Sequence, residues 1–566
     1  MGIENASLER RSFLKGIAAL GAAAGATALA GCSSQSESSS GSLSQTGSNG
    51  NGAAAHSWET APEPIDEASV TETIDADVVI IGAGMAGMAA FMHAAEQGAR
   101  TVIIEKRDSF SARGLDFAAI GTKVQKAAGV EIDKGQLIND LVKASGYKAD
   151  GSLIKLWADH SGEVFDRLID MIVADGGEVA LGAGSSASAN AEDFTTRTYP
   201  TDHTFGEGMT GPGDIIGHME KVGLEAGGQV MYNTKAEQLQ KDGDRVSAVF
   251  ATDADGNIVK IVASKGVILA TGDYGNNAEM VEAWCPLAAG AEGNVYPAPE
   301  ANTGDGINMA LWVGGAIQPG AHAAMIHPIF GGGAMSTASY LKVNESGMRF
   351  CNENTTLPGI SNMYLTNKDH KVWSIFDDDF ETQMPAMSAL SNYNNNTAGP
   401  LTAMFGTGDA DPANPPSPAE VVSYCLENGS TVKADSLPEL AAVMGVPSDA
   451  LEATVTRYNE LVAAGVDEDF GKNADDLKPI IKAPFYASAL TAKVLVIASG
   501  LSVNSQMQVL STEDEPLEGL YAVGNVMGNF FANDYPICAP GLSHGRCLTL
   551  GALLGRAVAT GQALGA

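Results

Sequence analysis

Between residues 77 and 105 an apolar run, a glycine turn, an apolar helix and a second apolar run follow one another without a break, and few folds accept that order. Asp77-Val78-Val79-Ile80-Ile81 has the unbroken apolarity of a strand buried on both faces. Gly82-Ala83-Gly84-Met85-Ala86-Gly87 comes next, and a helix is predicted to run to about Gln97, with Gly98 as its stop. Thr101-Val102-Ile103-Ile104 reads as the second strand, ending on Glu105. Gly82 permits the tight turn, Gly84 lets the backbone approach a pyrophosphate, and Gly87 lets the helix pack on the strand. The helix N-terminus, at Met85 and Ala86, faces the anionic phosphates, and Glu105 is placed to accept hydrogen bonds from ribose hydroxyls. Strand, turn, helix, strand and acid together predict a dinucleotide-binding βαβ unit and an α/β fold of Rossmann type.

Two distant segments select FAD over NAD. Val267-Ile268-Leu269-Ala270-Thr271-Gly272 is a strand closing on small residues, and Gly519-Leu520-Tyr521-Ala522-Val523-Gly524-Asn525 is another near the C-terminus. A strand returning from the end of the chain to complete an N-terminal nucleotide fold is typical of FAD oxidoreductases, so the FAD-binding domain is predicted to be discontinuous. The 66 glycines fit a fold with many close backbone approaches, and the formal charge of −35 argues against nucleic acid as a partner. No CxxC or CxxCH occurs, so the sequence offers no spacing for haem attachment or an iron–sulfur cluster, and no metal site is expected.

The N-terminus reads as an address. Arg10-Arg11-Ser12-Phe13-Leu14-Lys15 matches a twin-arginine export motif, Ile17 to Ala30 is apolar, and Leu29-Ala30-Gly31-Cys32 matches a lipobox. Residues 1–32 are therefore expected to be a twin-arginine lipoprotein signal with Cys32 lipidated. Residues 33–69, which open on a Ser/Gly/Asn run, are expected to be a flexible tether. The body would then sit on the extracytoplasmic face of the cell membrane, held by a lipid anchor.

The βαβ unit, Ala270-Thr271-Gly272, Thr303-Gly304-Asp305-Gly306, His327-Pro328, the run from Val343 to Phe350 and the run from Gly519 to Gly528 occur in an order that resembles the fumarate reductase/succinate dehydrogenase flavoproteins. The chain also looks like the related 3-ketosteroid dehydrogenases. The resemblance implies an FAD domain over 70–322 and 498–566, with an inserted α+β capping domain over 323–497. It also places Lys106, Arg113, Gly114, Asp305, Gly541 and Leu542 beside the cofactor. Family members that bind FAD covalently carry a His in the loop after the second strand; Ser111 to Gly121 has none, so the FAD is expected to be noncovalent.

A second departure bears on substrate. The resemblance places the proton-donating Arg of fumarate reductases at a position occupied here by Leu357, and its Glu–Arg feed at the Gly331–Thr337 stretch, which has neither. The carboxylate clamp falls on Val494–Gly500 and Tyr535–Gly541, again without His or Arg. Burying a dicarboxylate without counter-charges is costly, so fumarate is rejected. The expected substrate is a neutral, fairly apolar enone, steroid-like or plant-derived, whose C=C bond is reduced by FADH2. Tyr535, in a Tyr-Pro element similar to that of ketosteroid dehydrogenases, is either a proton donor or a packed core residue. His327 is either a site residue or a satisfied interior histidine, and Arg349 is expected to be structural. His544 and Arg546 either contact the cofactor or cap structure. Two alternatives remain: a dehydrogenase running in the oxidative direction, and an electron-transfer flavoprotein without substrate chemistry. Electrons must come from a separate cytochrome or quinol-linked donor. Met387–Pro416 reads as a long irregular insertion, either a lid or a solvated excursion.

Overall fold

The structure is a computed structural model that describes residues 56–566 except 112, 114–115, 183–196, 206–211, 296–297, 299, 329–331, 388–416, 537 and 566. The export signal, Cys32, most of the tether, Gly114 and nearly all of the predicted insertion therefore lie outside the described residues.

The principal sheet grows from the βαβ unit. Its strands are β1 (Val70–Ile81), β2 (Thr101–Ile104), β3 (Gln229–Met231), β4 (Ile258–Leu269), β5 (Gln508–Leu510) and β6 (Pro516–Ala522). They run in the order β5-β6-β4-β1-β2-β3, with an antiparallel hairpin, Lys235–Asp242 and Arg245–Thr252, attached to β4. The five-strand path from β6 to β3 is parallel throughout, and its centre, Val78 to Ile80, is fully buried. β1 starts at Val70, seven residues before the predicted run, because Val70–Ala76 pairs with Ile258–Ala263 in a largely exposed extension whose polar residues hide it from an apolarity search.

Three helices position the site: α1 (Met85–Glu96), α2 (Asp305–Trp312) and α3 (Leu542–Thr560). α1 ends where expected, with Gln97 as cap and Gly98 at φ +76°. α3 lies against α1 because glycines leave room: a Cβ at Gly551 would stand 2.4 Å from Ala86 O, and one at Gly555 2.3 Å from Ala90 O. The C-terminus of the chain thus reaches back to the first helix.

Ala324–His327 and Lys493–Ile497 form a two-stranded antiparallel ribbon, so the chain leaves and returns through neighbouring strands. Between them lies a four-stranded antiparallel sheet, in the order Leu341–Asn344, Val372–Asp377, Phe485–Ala489, Thr431–Ala434. The helices Leu437–Met444 and Ser448–Ala464 cover it through a core that includes Leu341, Ile375, Leu440 and Leu451. Arg349 is the electrostatic hub of this region. It donates to both oxygens of Glu353 and both of Asp467 (2.8–3.0 Å), and its guanidinium lies 4.9 Å from the Phe470 ring centroid. Buried Lys472 completes the cluster, 3.3 Å from Glu353. The structural role expected for Arg349 is what these contacts describe.

Candidate functional site

The turn that opens α1 is fixed by backbone sterics. Gly82 has φ +102°, and a Cβ there would stand 2.6 Å from Ala270 O. At Gly87 a Cβ would meet Gly82 O at 1.9 Å, so helix and turn touch backbone to backbone. Gly84 differs: its Cβ would have nothing nearer than Ser111 O at 4.0 Å. Gly84 is also the N-cap of α1 and brings no side chain to the helix end. The positive end of α1 is therefore left for an anion.

That end opens into a cleft. The βαβ unit contributes Gly82, Gly84, Met85, Ala86, Glu105 and Lys106 to its walls. β4 and the segment after it bring Ala270, Thr271, Gly272 and Asn302, and α2 brings Asp305. Gly524 and Asn525 arrive from the end of the chain, and Arg113 from the loop after β2. Four separated stretches that the sequence singles out thus meet on one surface.

The polar groups of the cleft are braced. Both Glu105 oxygens accept backbone N–H groups, from Ala83 (2.9 Å) and Arg107 (3.1 Å). Glu105 therefore holds the phosphate turn as well as ending β2, and a carboxylate with two contacts keeps lone pairs for ribose hydroxyls. Lys106 Nζ sits 2.8 Å from Asp305 Oδ2 and 3.0 Å from Thr303 Oγ1, tying β2 to α2. Arg113 pairs with fully buried Asp273 at 3.4 Å and donates to Asn302. Burial pushes the Asp273 carboxyl up, and the Arg113 charge opposes that shift.

Several expected contacts fall elsewhere. Gly87 lies beneath the cleft rather than on it, as its packing role requires. Gly541 and Leu542 do not line it. The glycine at 541 serves helix packing: a Cβ would stand 2.6 Å from the backbone nitrogens of Phe117 and Ala118, and Leu542 is fully buried. Tyr535 stands one residue behind the wall: its hydroxyl accepts the Ser543 N–H at 3.0 Å, and Ser543 lines the cleft. Burial pushes its phenol well above the ordinary range. His327 is not on this wall either; it ends its strand opposite Lys493, 4 % exposed, with Nδ1 lacking a partner. Burial pushes its imidazole down to about 4, so it is neutral at pH 7.

Other lining residues carry no recognisable motif. Thr234, Lys235 and Ala236 enter from the hairpin, and Ser543, His544 and Cys547 from α3. His544 Nδ1 is 3.1 Å from Asp116 O, and burial pushes its imidazole down to about 4. Cys285, Cys351, Cys425, Cys538 and Cys547 are buried free thiols.

An uncapped helix end at a glycine turn, a carboxylate closing the second strand, and a C-terminal strand and helix completing the pocket define a dinucleotide-dependent flavoprotein oxidoreductase. Residues 77–542 match the family described as "FAD binding domain", and the chain belongs to that family. The cofactor is FAD. The chain is 28% identical over 512 residues to the vinyl phenol reductase of Lactiplantibacillus plantarum, covering 85% of this chain and 95% of that one. It is 28% identical over 545 residues to the acrylate reductase flavoprotein subunit of Shewanella woodyi, covering 92% and 93%. Among solved structures it is similar to the 3-ketosteroid-delta4-(5alpha)-dehydrogenase of Rhodococcus jostii, with a TM-score of 0.67, 24% identity, and coverage of 88% and 99%. That likeness shows the fold.

Proposed function

We propose that the protein is an FAD-dependent oxidoreductase acting on CH–CH groups, and that its physiological reaction is reduction of a C=C bond conjugated to a carbonyl in a neutral, fairly apolar substrate. The observation that carries this reading is Tyr535. Its oxygen already accepts a helix N-terminal N–H from Ser543, so its own O–H hydrogen remains to be donated, and the same N–H and helix end stabilise the phenolate left behind. A buried phenol kept protonated beside the cleft has the features of a general acid. Once reduced by the electron donor, FAD held by the glycine turn and Glu105 would supply hydride chemistry for the β-carbon, and Tyr535 would donate the proton to the α-carbon.

Neutrality of the substrate rests on charge accounting. Arg349 is consumed by Glu353 and Asp467, and residue 357 is Leu, so neither is free to hold a carboxylate. Vinyl phenol reductase supports a neutral substrate by its name; acrylate reductase, whose name specifies a carboxylate, marks the competing possibility. His327, buried and neutral, is the second candidate acid.

FAD is bound noncovalently, since Ser111–Gly121 has no His. Residues 323–497 cap an FAD domain formed by 70–322 and 498–566. Arg10-Arg11 and Cys32 direct the protein outward and anchor it by lipid, and a separate cytochrome or quinol-linked donor supplies electrons. The test is anaerobic mixing of reduced protein with candidate enones and with fumarate. Flavin reoxidation with a saturated product is expected from an enone. Reoxidation by fumarate alone would overturn the substrate class, and bleaching of oxidised flavin by saturated ketones alone would reverse the direction.

A further inference from the structure

Arg546 is fully buried in the first turns of α3. Its guanidinium carbon lies 4.7 Å from the Phe531 ring centroid and 5.4 Å from that of Phe530. Nη1 donates to Gly524 O at 2.9 Å and Nη2 to Asn525 Oδ1 at 2.8 Å. Nε has no hydrogen-bond partner. Arg349 holds two carboxylates, whereas among the described residues Arg546 is met by no carboxylate, only by the oxygens of Gly524 and Asn525 and the rings of Phe530 and Phe531, and burial pushes its guanidinium down. A buried cation without a counter-charge is unfavourable, and an anion bound nearby would offset that cost.

The residues around Arg546 show where that anion enters. Gly524 and Asn525, its two hydrogen-bond partners, line the cleft, as does Cys547, its neighbour in sequence. Gly524 also lies against the phosphate turn: a Cβ there would be 3.0 Å from the Ala86 Cβ. A guanidinium has donors and no acceptor, so it fixes the orientation of the Asn525 amide. The amide oxygen must face Arg546, and the NH2 is left to donate to the cleft.

We propose that Arg546 and Asn525 form a charge-and-donor pair that recognises FAD: Arg546 is left without a carboxylate so that the anionic dinucleotide balances it, and it locks Asn525 as a hydrogen-bond donor to a cofactor oxygen. This rests on the reading of the cleft as the FAD site. A carboxylate at 525 would neutralise Arg546 inside the protein and replace the donor with an acceptor. Stability without cofactor and affinity for cofactor should therefore move in opposite directions.

The experiment compares wild type, Asn525→Asp and Asn525→Ala after reversible removal of flavin. The thermal midpoint of the apoprotein and the FAD dissociation constant by fluorescence titration are measured. Asn525→Asp is expected to raise the apo midpoint and weaken FAD binding at least tenfold. Asn525→Ala is expected to weaken FAD binding without raising the midpoint. A purely structural pair would lower stability and affinity together. FAD binding as tight as wild type in either variant overturns the proposal and leaves the FAD site standing. A wild-type protein that neither carries nor takes up FAD overturns both.

Discussion

At the scale of single residues, the two inner glycines of the turn make different demands. Gly84 has open space where a side chain would go, and Gly87 has the Gly82 carbonyl 1.9 Å away. Gly84→Val is expected to fold with near-wild-type far-UV circular dichroism yet purify without yellow colour, because the valine occupies the approach to the pyrophosphate. Gly87→Val is expected to lose stability outright, since helix and strand must separate. Normal flavin content in Gly84→Val would remove the cofactor assignment of this turn. Tyr535→Phe keeps the ring and loses the hydroxyl. Turnover is expected to fall by on the order of 10²-fold with FAD retained, the contribution a positioned general acid makes. Full activity would transfer the acid role to His327.

At the scale of elements, what the sequence revealed and what it concealed divide along a physical line. The βαβ unit was legible because its reasons are local: β2 and α1 have the predicted limits, Gly82 and Gly84 stand at the turn they were expected to form, and Glu105 follows the end of β2. The polar half of β1 was not legible, since Val70–Ala76 is held by pairing with β4 rather than by apolar burial. The packing of Gly541 was not legible, since the glycine answers to Phe117 and Ala118, more than 400 residues earlier in the chain. Lys235 and Asn302 reach the cleft only through the hairpin and the loop before α2, which no local pattern announces. The Arg349 cluster was legible as structural but not in its partners. Breaking it by Arg349→Met leaves Asp467 buried without its cation and Glu353 with Lys472 alone, and a loss of about 3–5 kcal/mol in denaturant unfolding is expected.

The same elements set the acid limit of the fold. His322 and His327 are buried, and burial holds both near 4 against an ordinary value of 6.5. Below 6.5 the unfolded chain takes up these protons and the folded one does not. Stability is therefore full above 6.5 and falls as pH drops toward 4, by roughly 1 kcal/mol per unit for each histidine. The Asp467 carboxylate, held down to about 2 by Arg349 and backbone N–H groups against its own burial, adds a second loss below about pH 4. Urea midpoints between pH 7 and 4 test the first window; a flat profile would show that these imidazoles are not held neutral. His327→Gln should flatten it in part.

At the scale of the whole molecule, Cys32 is the residue on which the proposed location turns. Cys32→Ser is expected to leave the precursor uncleaved or release the body from membrane fractions; processing and anchoring as in wild type would rule out the lipobox. Among the described residues no helix is long and apolar enough to cross a membrane. The proposal of a neutral substrate rests on three positions: Arg349 serves two carboxylates, Arg546 lies buried against Phe530 and Phe531, and residue 357 is Leu. The most direct measurement of the central claim is viologen-driven, steady-state reduction by the wild-type protein, with the best neutral enone and fumarate compared at equal concentration. The account predicts turnover of the enone to the saturated carbonyl compound with fumarate left essentially unreduced. Fast turnover of fumarate, with no neutral enone reduced, would contradict it.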